Sequence, residues 1–188
     1  QFSKFIENNY ENWLESNNGP TFSHQVFKKF VFPELKSHKP CLLLMIDNLR
    51  YDQWKTILPE IKEYYKIESE NTYFSILPTA TQYARNSFFA GLTPLEISIR
   101  YPQWWKNDTD DGGKNQHEFD FLKQQCERLG INRPLSYHKI TQLIQSQQLI
   151  KNLQNHKHEV LTTVVYNFVD MISHAKTEME VIKELASD

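Results

Sequence analysis

The chain has 188 residues, 39% of them hydrophobic and 13% aromatic, which is enough for one domain with a packed core and a small appendage. Its 21 basic and 23 acidic residues are mixed along the sequence and leave a net charge of −2, which excludes a broad basic surface for duplex DNA or anionic lipid while leaving a local anion site open. The longest apolar run is far too short to cross a bilayer, no cationic-apolar leader is present, and Cys41 and Cys126 lie in apolar patterns as buried, reduced thiols, so the sequence predicts a soluble cytoplasmic protein without membrane insertion.

In chain order, Phe2, Phe5, Ile6, Tyr10, Trp13 and Leu14 recur at helical spacing and predict a helix over residues 1–16, closed by the polar turn Asn17-Asn18-Gly19-Pro20. A second helix follows, with Ser23 as N-cap and Val26, Phe27, Phe30 and Val31 as its apolar face; Pro33 kinks or ends it before a linker at 36–39. The helices make residues 1–38 a helical segment, and residues 39–188 read as a separate α/β domain. Because the chain starts inside one helical pattern and ends inside another, over residues 170–188, it is expected to be a fragment.

Residues 41–46, CLLLMI, form a six-residue apolar run and predict a strand buried on both faces. Asp47 ends it, and a helix over residues 50–58 follows, stopped by Pro59. In open α/β sheets the ligand crevice lies beyond the carboxyl ends of the strands, so Asp47 is a site candidate, although a helix-capping aspartate would read the same way. A short strand is expected within 66–76, and from Gln82 the pattern turns helical, with Tyr83, Ala84, Phe88 and Phe89 on one side and Gly91 at the C′ position. Thr81 is thereby placed at the N-cap, where backbone N–H groups and the positive helix end favour an alkoxide or a phosphate oxygen; plain capping is the alternative.

Residues 100–106 and the polar loop 107–116 interrupt the α/β rhythm. Asp108, Asp110 and Asp111 beside Gly112 and Gly113 lack the spacing of a calcium loop, and a solvated loop is expected. Phe121, Leu122, Cys126 and Leu129 predict a helix ended by Gly130, and Ile140, Leu143, Ile144, Leu149 and Leu153 predict another. Residues 159–169 are rich in β-branched and aromatic side chains and predict a second buried strand, ended by Asp170. His174 follows four residues later, a spacing that puts both side chains on one helical face; a capping Asp and a surface His explain the same pair.

Two strand-end acids, a hydroxyl at a helix start and an Asp-x-x-x-His pair at one sheet edge are what a two-metal phosphoryl-transfer site needs, with cations roughly 4 Å apart. The stretches 42–52 (LLLMIDNLRYD), 77–92 (LPTATQYARNSFFAGL) and 166–174 (YNFVDMISH) resemble, in order and spacing, the PglZ branch of the alkaline phosphatase superfamily. Within it, the resemblance is to PorX-type response regulators of type IX secretion, in which a receiver domain and a helical bundle precede the PglZ domain. It covers about residue 39 to the end. It implies a partial alkaline-phosphatase-like sheet with flanking helices, after the tail of a bundle over residues 19–38.

The resemblance further implies Thr81 as nucleophile and metal ligand, Asp47 sharing its zinc, and Asp170 and His174 binding a second zinc. Arg50 lies where this superfamily often carries an arginine, but it reads here as a solvated surface residue. Family sites also need a later Asp-His pair and a further His, which do not occur after His174, so this stretch is expected to bind zinc weakly or not at all unless His117 or His138 completes the site. The implied substrate is a phosphoester or nucleotide, the implied partners are secretion-system or sigma-factor regulatory proteins, and a homodimer is left open. The competing reading is a non-catalytic regulatory module whose pocket binds a nucleotide or a partner protein. A dinucleotide-binding domain has little support, because no G-x-G-x-x-G follows the first strand.

Overall fold

The computed structural model describes residues 1–16, 18–37, 39–107, 109–167 and 169–172. In chain order its elements are α1 (Phe2–Glu15), α2 (Ser23–Val26), a π turn (Phe27–Val31), α3 (Phe32–Leu35), β1 (Cys41–Ile46), α4 (Tyr51–Tyr64), α5 (Thr81–Ala90), α6 (Pro94–Arg100), α7 (Glu118–Arg128), β2 (Leu135–Ile140), α8 (Leu143–Asn152), a 3-10 turn (Leu153–His156) and β3 (Leu161–Tyr166). The fold class is α/β. The chain packs as two compact units, each built from two stretches: Gln1–Pro33 with Asn71–Ile131, and Glu34–Glu70 with Asn132–Asp188. The expected division at residues 38/39 runs along the sequence, whereas the packed units interleave.

The first unit is helical. Aromatic contacts tie α1 into it: Tyr10 meets Phe22 edge-on at 5.5 Å, Trp13 meets Phe74 at 6.0 Å, and the Tyr10 hydroxyl accepts from the Leu77 N–H at 2.7 Å. The cap of α2 is Phe22 rather than the expected Ser23. Gln25 folds back so that its Oε1 accepts from the Phe22 N–H at 3.0 Å, while the buried Ser23 hydroxyl accepts from the Ile76 N–H at 3.1 Å. Pro33 does not end this helix. Its ring would meet the carbonyl four residues back, and the chain passes through a wider π turn in which the Phe32 N–H donates to the Phe27 carbonyl. Among the described residues the strand expected within 66–76 is a single bridge, Phe22 to Phe74, held by Phe74 N–H to Thr21 O and Ser23 N–H to Phe74 O.

The core of this unit is α5 against α2 and α7, with Phe22, Phe27, Phe89, Ile97, Phe121 and Leu122 wholly buried. Helix α5 buries polar residues along with its phenylalanines, and a buried charge needs a partner: Arg85 is paired with Glu118 of α7, both almost fully buried. Gly91 ends α5 in the left-handed region at φ 61°, as expected, with its N–H donating to Ser87 O at 2.8 Å. Helix α6 lies outside the expected elements. Its signal is a capping box at Thr93, with Pro94 at the first helical position and the Glu96 carboxylate accepting from the Thr93 N–H at 2.7 Å.

Among the described residues the second unit carries a parallel three-stranded sheet in the order β1-β3-β2. β3 is central and buried from Leu161 through Val165, as its β-branched run predicts. β1 pairs with it in parallel but is not buried on both faces. Among the described residues it is an edge strand, and Leu42 and Leu44 are 51% and 53% exposed. β2 is a further strand that the apolar pattern does not announce: Ile140, expected on a helix, ends a strand in which Ser136, His138 and Lys139 hide the apolar signal, and the helix begins at Leu143. Helix α4 runs through Pro59 to Tyr64. Trp54, Ile57, Leu58 and Ile61, all less exposed than their neighbours Lys55, Thr56, Pro59 and Glu60, form one apolar stripe that continues through the proline, which removes a single backbone bond. No described helix is long and apolar enough to cross a membrane.

Candidate functional site

The parallel register aligns Ile46 of β1, Tyr166 of β3 and Ile140 of β2, so the three strands finish together at one end of the sheet. The ladder continues one residue past each outer pair: the Asp47 N–H donates to Tyr166 O at 3.0 Å, and the Asn167 N–H donates to Ile140 O at 2.9 Å. Asp47 is therefore fixed to the end of the central strand. The chain then turns sharply at Asn48, whose φ of 59° lies in the left-handed region that asparagine tolerates better than most residues, and enters α4.

Asp170 belongs to the same end of the same sheet, though not as the strand end expected at Val169. β3 stops at Tyr166, and the Met171 N–H donates to Asn167 O at 3.0 Å, so Asp170 rides on the first helical turn after the strand. Asp47 and Asp170 are both half-buried. Asn167, which the sequence pattern does not single out, follows directly on the strand end, which the run of β-forming residues conceals.

Thr81 belongs to the other compact unit, where it is the exposed first residue of α5. It is not the cap. Ala80 takes that position, its carbonyl accepting from the Tyr83 and Ala84 N–H groups at 3.0 and 2.9 Å. The Thr81 hydroxyl is thus carried at the positive end of the helix without being consumed as its N-cap acceptor. His174 lies outside the described residues, as do Asp108 of the acidic loop and the rest of the segment 173–188.

Other candidates fall into ordinary roles. Arg50 caps α4 and forms a bidentate pair with Asp52, Nε to Oδ1 at 3.0 Å and Nη2 to Oδ2 at 2.7 Å, with both side chains about two-thirds exposed. The hydrogen bond from Arg50 holds the Asp52 carboxyl below its ordinary range. His117 sits in the helical unit, its Nδ1 3.1 Å from Asp120 and its ring stacked on Trp104. His138 lies on β2.

Two carboxylates at one end of a parallel sheet are oxygen donors of the kind divalent cations take, and in kind they fit a metal ion. Among the described residues, no group of three or more His, Cys, Asp or Glu side chains is arranged to hold one. A family model described as the BREX system PglZ alkaline phosphatase-like domain matches residues 26–188. A search of curated proteins finds no match.

Proposed function

The chain belongs to the PglZ family of alkaline phosphatase-like domains, and from that membership we propose that it is the phosphoester-cleaving part of a zinc-dependent phosphodiesterase or phosphatase acting in the cytoplasm. The observation that carries the reading is the parallel pairing of β1 with β3, which puts Asp47 and Asp170 at one carboxyl end of the sheet, where open α/β folds collect their ligands. Asp47, Asp170, Thr81 and His174 are the residues that would hold two zinc ions. When bound, the zincs supply Lewis acidity and neutralise charge on phosphoryl oxygens.

The steps assigned to the chain's own groups are few. Thr81 Oγ attacks phosphorus as the bond to the leaving alcohol breaks, and its proton passes to solvent. Water then attacks the phosphoryl-threonine, and the Thr81 hydroxyl is restored. First-turn N–H groups of α5 favour the negative charge that gathers near Thr81 during both steps. In the wider setting, the domain would serve as effector of a PorX-type response regulator of type IX secretion, with secretion-system or sigma-factor regulatory proteins as partners.

The test uses the protein at its natural length, loaded with zinc, and bis(p-nitrophenyl) phosphate as substrate. Thr81→Ala should abolish turnover, Thr81→Ser should keep part of it, and Asp47→Asn should lower both zinc content and rate. Equal activity in Thr81→Ala and the parent would remove Thr81 as nucleophile. A protein that binds a nucleotide but never turns it over would support the regulatory-module reading instead.

A further inference from the structure

On the β2 side of the sheet, the second unit contains a polar cluster that the phosphoester reading does not use. Glu159, just before β3, is buried and fully engaged. Its Oε2 accepts from the Ser136 and Thr162 hydroxyls, the latter at 3.1 Å, and its Oε1 lies 2.9 Å from His156 Nδ1. Ser136 and Thr162 are directly paired across β2 and β3, and His138 lies two residues beyond Ser136, so all three share one face of the sheet. Helix α8 packs on β2, and the 3-10 turn after it delivers His156.

A carboxylate on Nδ1 fixes the other nitrogen of that imidazole as the lone-pair donor, the arrangement that usually stands behind a metal-binding histidine. His138 supplies the second observation: its Nε2 is buried and has no hydrogen-bond partner among the described residues. The two rings lie 4.8 Å apart at 76°, and both line one cavity of about 410 Å³ together with Gln148 and Asn152. With nitrogens about 2.0–2.1 Å from a shared ion, two imidazoles at roughly 90–110° around it would have ring centres roughly 4.5–5.2 Å apart. The observed separation falls inside that window.

We propose that His138 and His156 form a binding site for an imidazole-preferring divalent transition-metal ion, with Glu159 as the carboxylate that orients His156 and water completing the shell. Two protein ligands make it a weaker centre than a closed structural zinc site, and Zn²⁺, Cu²⁺ and Ni²⁺ are the ions whose ligand preferences suit it. It uses neither Asp47 nor Asp170 as a ligand.

The test strips the full chain of metal and adds Cu²⁺ at less than one equivalent, reading electron paramagnetic resonance couplings to imidazole nitrogen. Two coupled imidazoles are expected, unchanged in an Asp47→Asn, Asp170→Asn double variant and reduced in both His138→Gln and His156→Gln. Glu159→Gln keeps both rings and should weaken Cu²⁺ binding about 10–100-fold. Couplings that survive both histidine variants, or an affinity unmoved by Glu159→Gln in a folded protein, would overturn the assignment.

Discussion

Substituting Gly91 by alanine tests the link between the end of α5 and the packing that holds this helix. Gly91 sits at φ 61°, and a Cβ there would lie 2.1 Å from Gln125 Oε1 and 2.6 Å from its Cδ. Gln125 cannot give way cheaply, because it is 3% exposed and its Nε2 donates to the Phe88 and Phe89 carbonyls at 3.0 and 2.8 Å. Forcing alanine into the left-handed region costs roughly 1–2 kcal/mol, and displacing Gln125 removes two buried hydrogen bonds worth about 0.5–1.5 kcal/mol each, so Gly91→Ala should destabilise by about 2–5 kcal/mol. Gly130 provides the control. It has φ 77° but, among the described residues, nothing within 4 Å of the place a Cβ would take, so Gly130→Ala should cost only the backbone part, roughly 1–2 kcal/mol. Urea unfolding read by tryptophan fluorescence in a Trp54→Phe background follows the helical unit, where Trp13, Trp104 and Trp105 lie. Equal losses in the two glycine variants would refute the collision argument, as would strict additivity of Gly91→Ala with Gln125→Ala.

Three further outcomes follow from single residues. Burial lowers the pKa of His24 against a smaller opposing effect of Glu96, so the unfolded chain takes up that proton first; stability present above the ordinary histidine value of 6.5 should fall as pH drops below it, and His24→Phe should remove that part of the slope in urea unfolding at stepped pH. Burial pushes the Cys126 thiol up to about 12 and it is wholly enclosed, whereas Cys41 is raised by burial and by Glu34 but is partly exposed; iodoacetamide at pH 8 should label Cys41 first and reach Cys126 only on unfolding, and equal native rates would count against the packing of α7. Pro59 is an exposed interior residue of α4, so Pro59→Ala should restore a backbone bond and stabilise the sheet unit by roughly 1–3 kcal/mol, read through Trp54; a neutral or negative effect would mean that the proline is not interrupting the helix.

What the sequence makes legible here is what is local or strongly patterned. The β-branched run before Tyr166, the apolar run before Asp47 and the glycine after Ala90 each specify their element within a few residues, and the two runs also carry the parallel pairing that sets Asp47 and Asp170 at one sheet end. β2 is hidden because its strand is half polar, with Ser136 committed to Glu159 and His138 to the histidine cluster, so the residues that blur the pattern are those with chemistry of their own. The interleaving of the units is hidden for a different reason. The chain leaves the sheet unit after Glu70 and returns at Asn132, and a contact between segments that far apart leaves no periodicity in either one. Asp47 and Asp170 are set by one sheet, while Thr81 is set by the caps and core of a helical unit. Substitutions in α5, α7 or at Gly91 should therefore act on the placement of Thr81 without changing the Asp47 and Asp170 carboxylates, and changes in β1 or β3 should do the reverse.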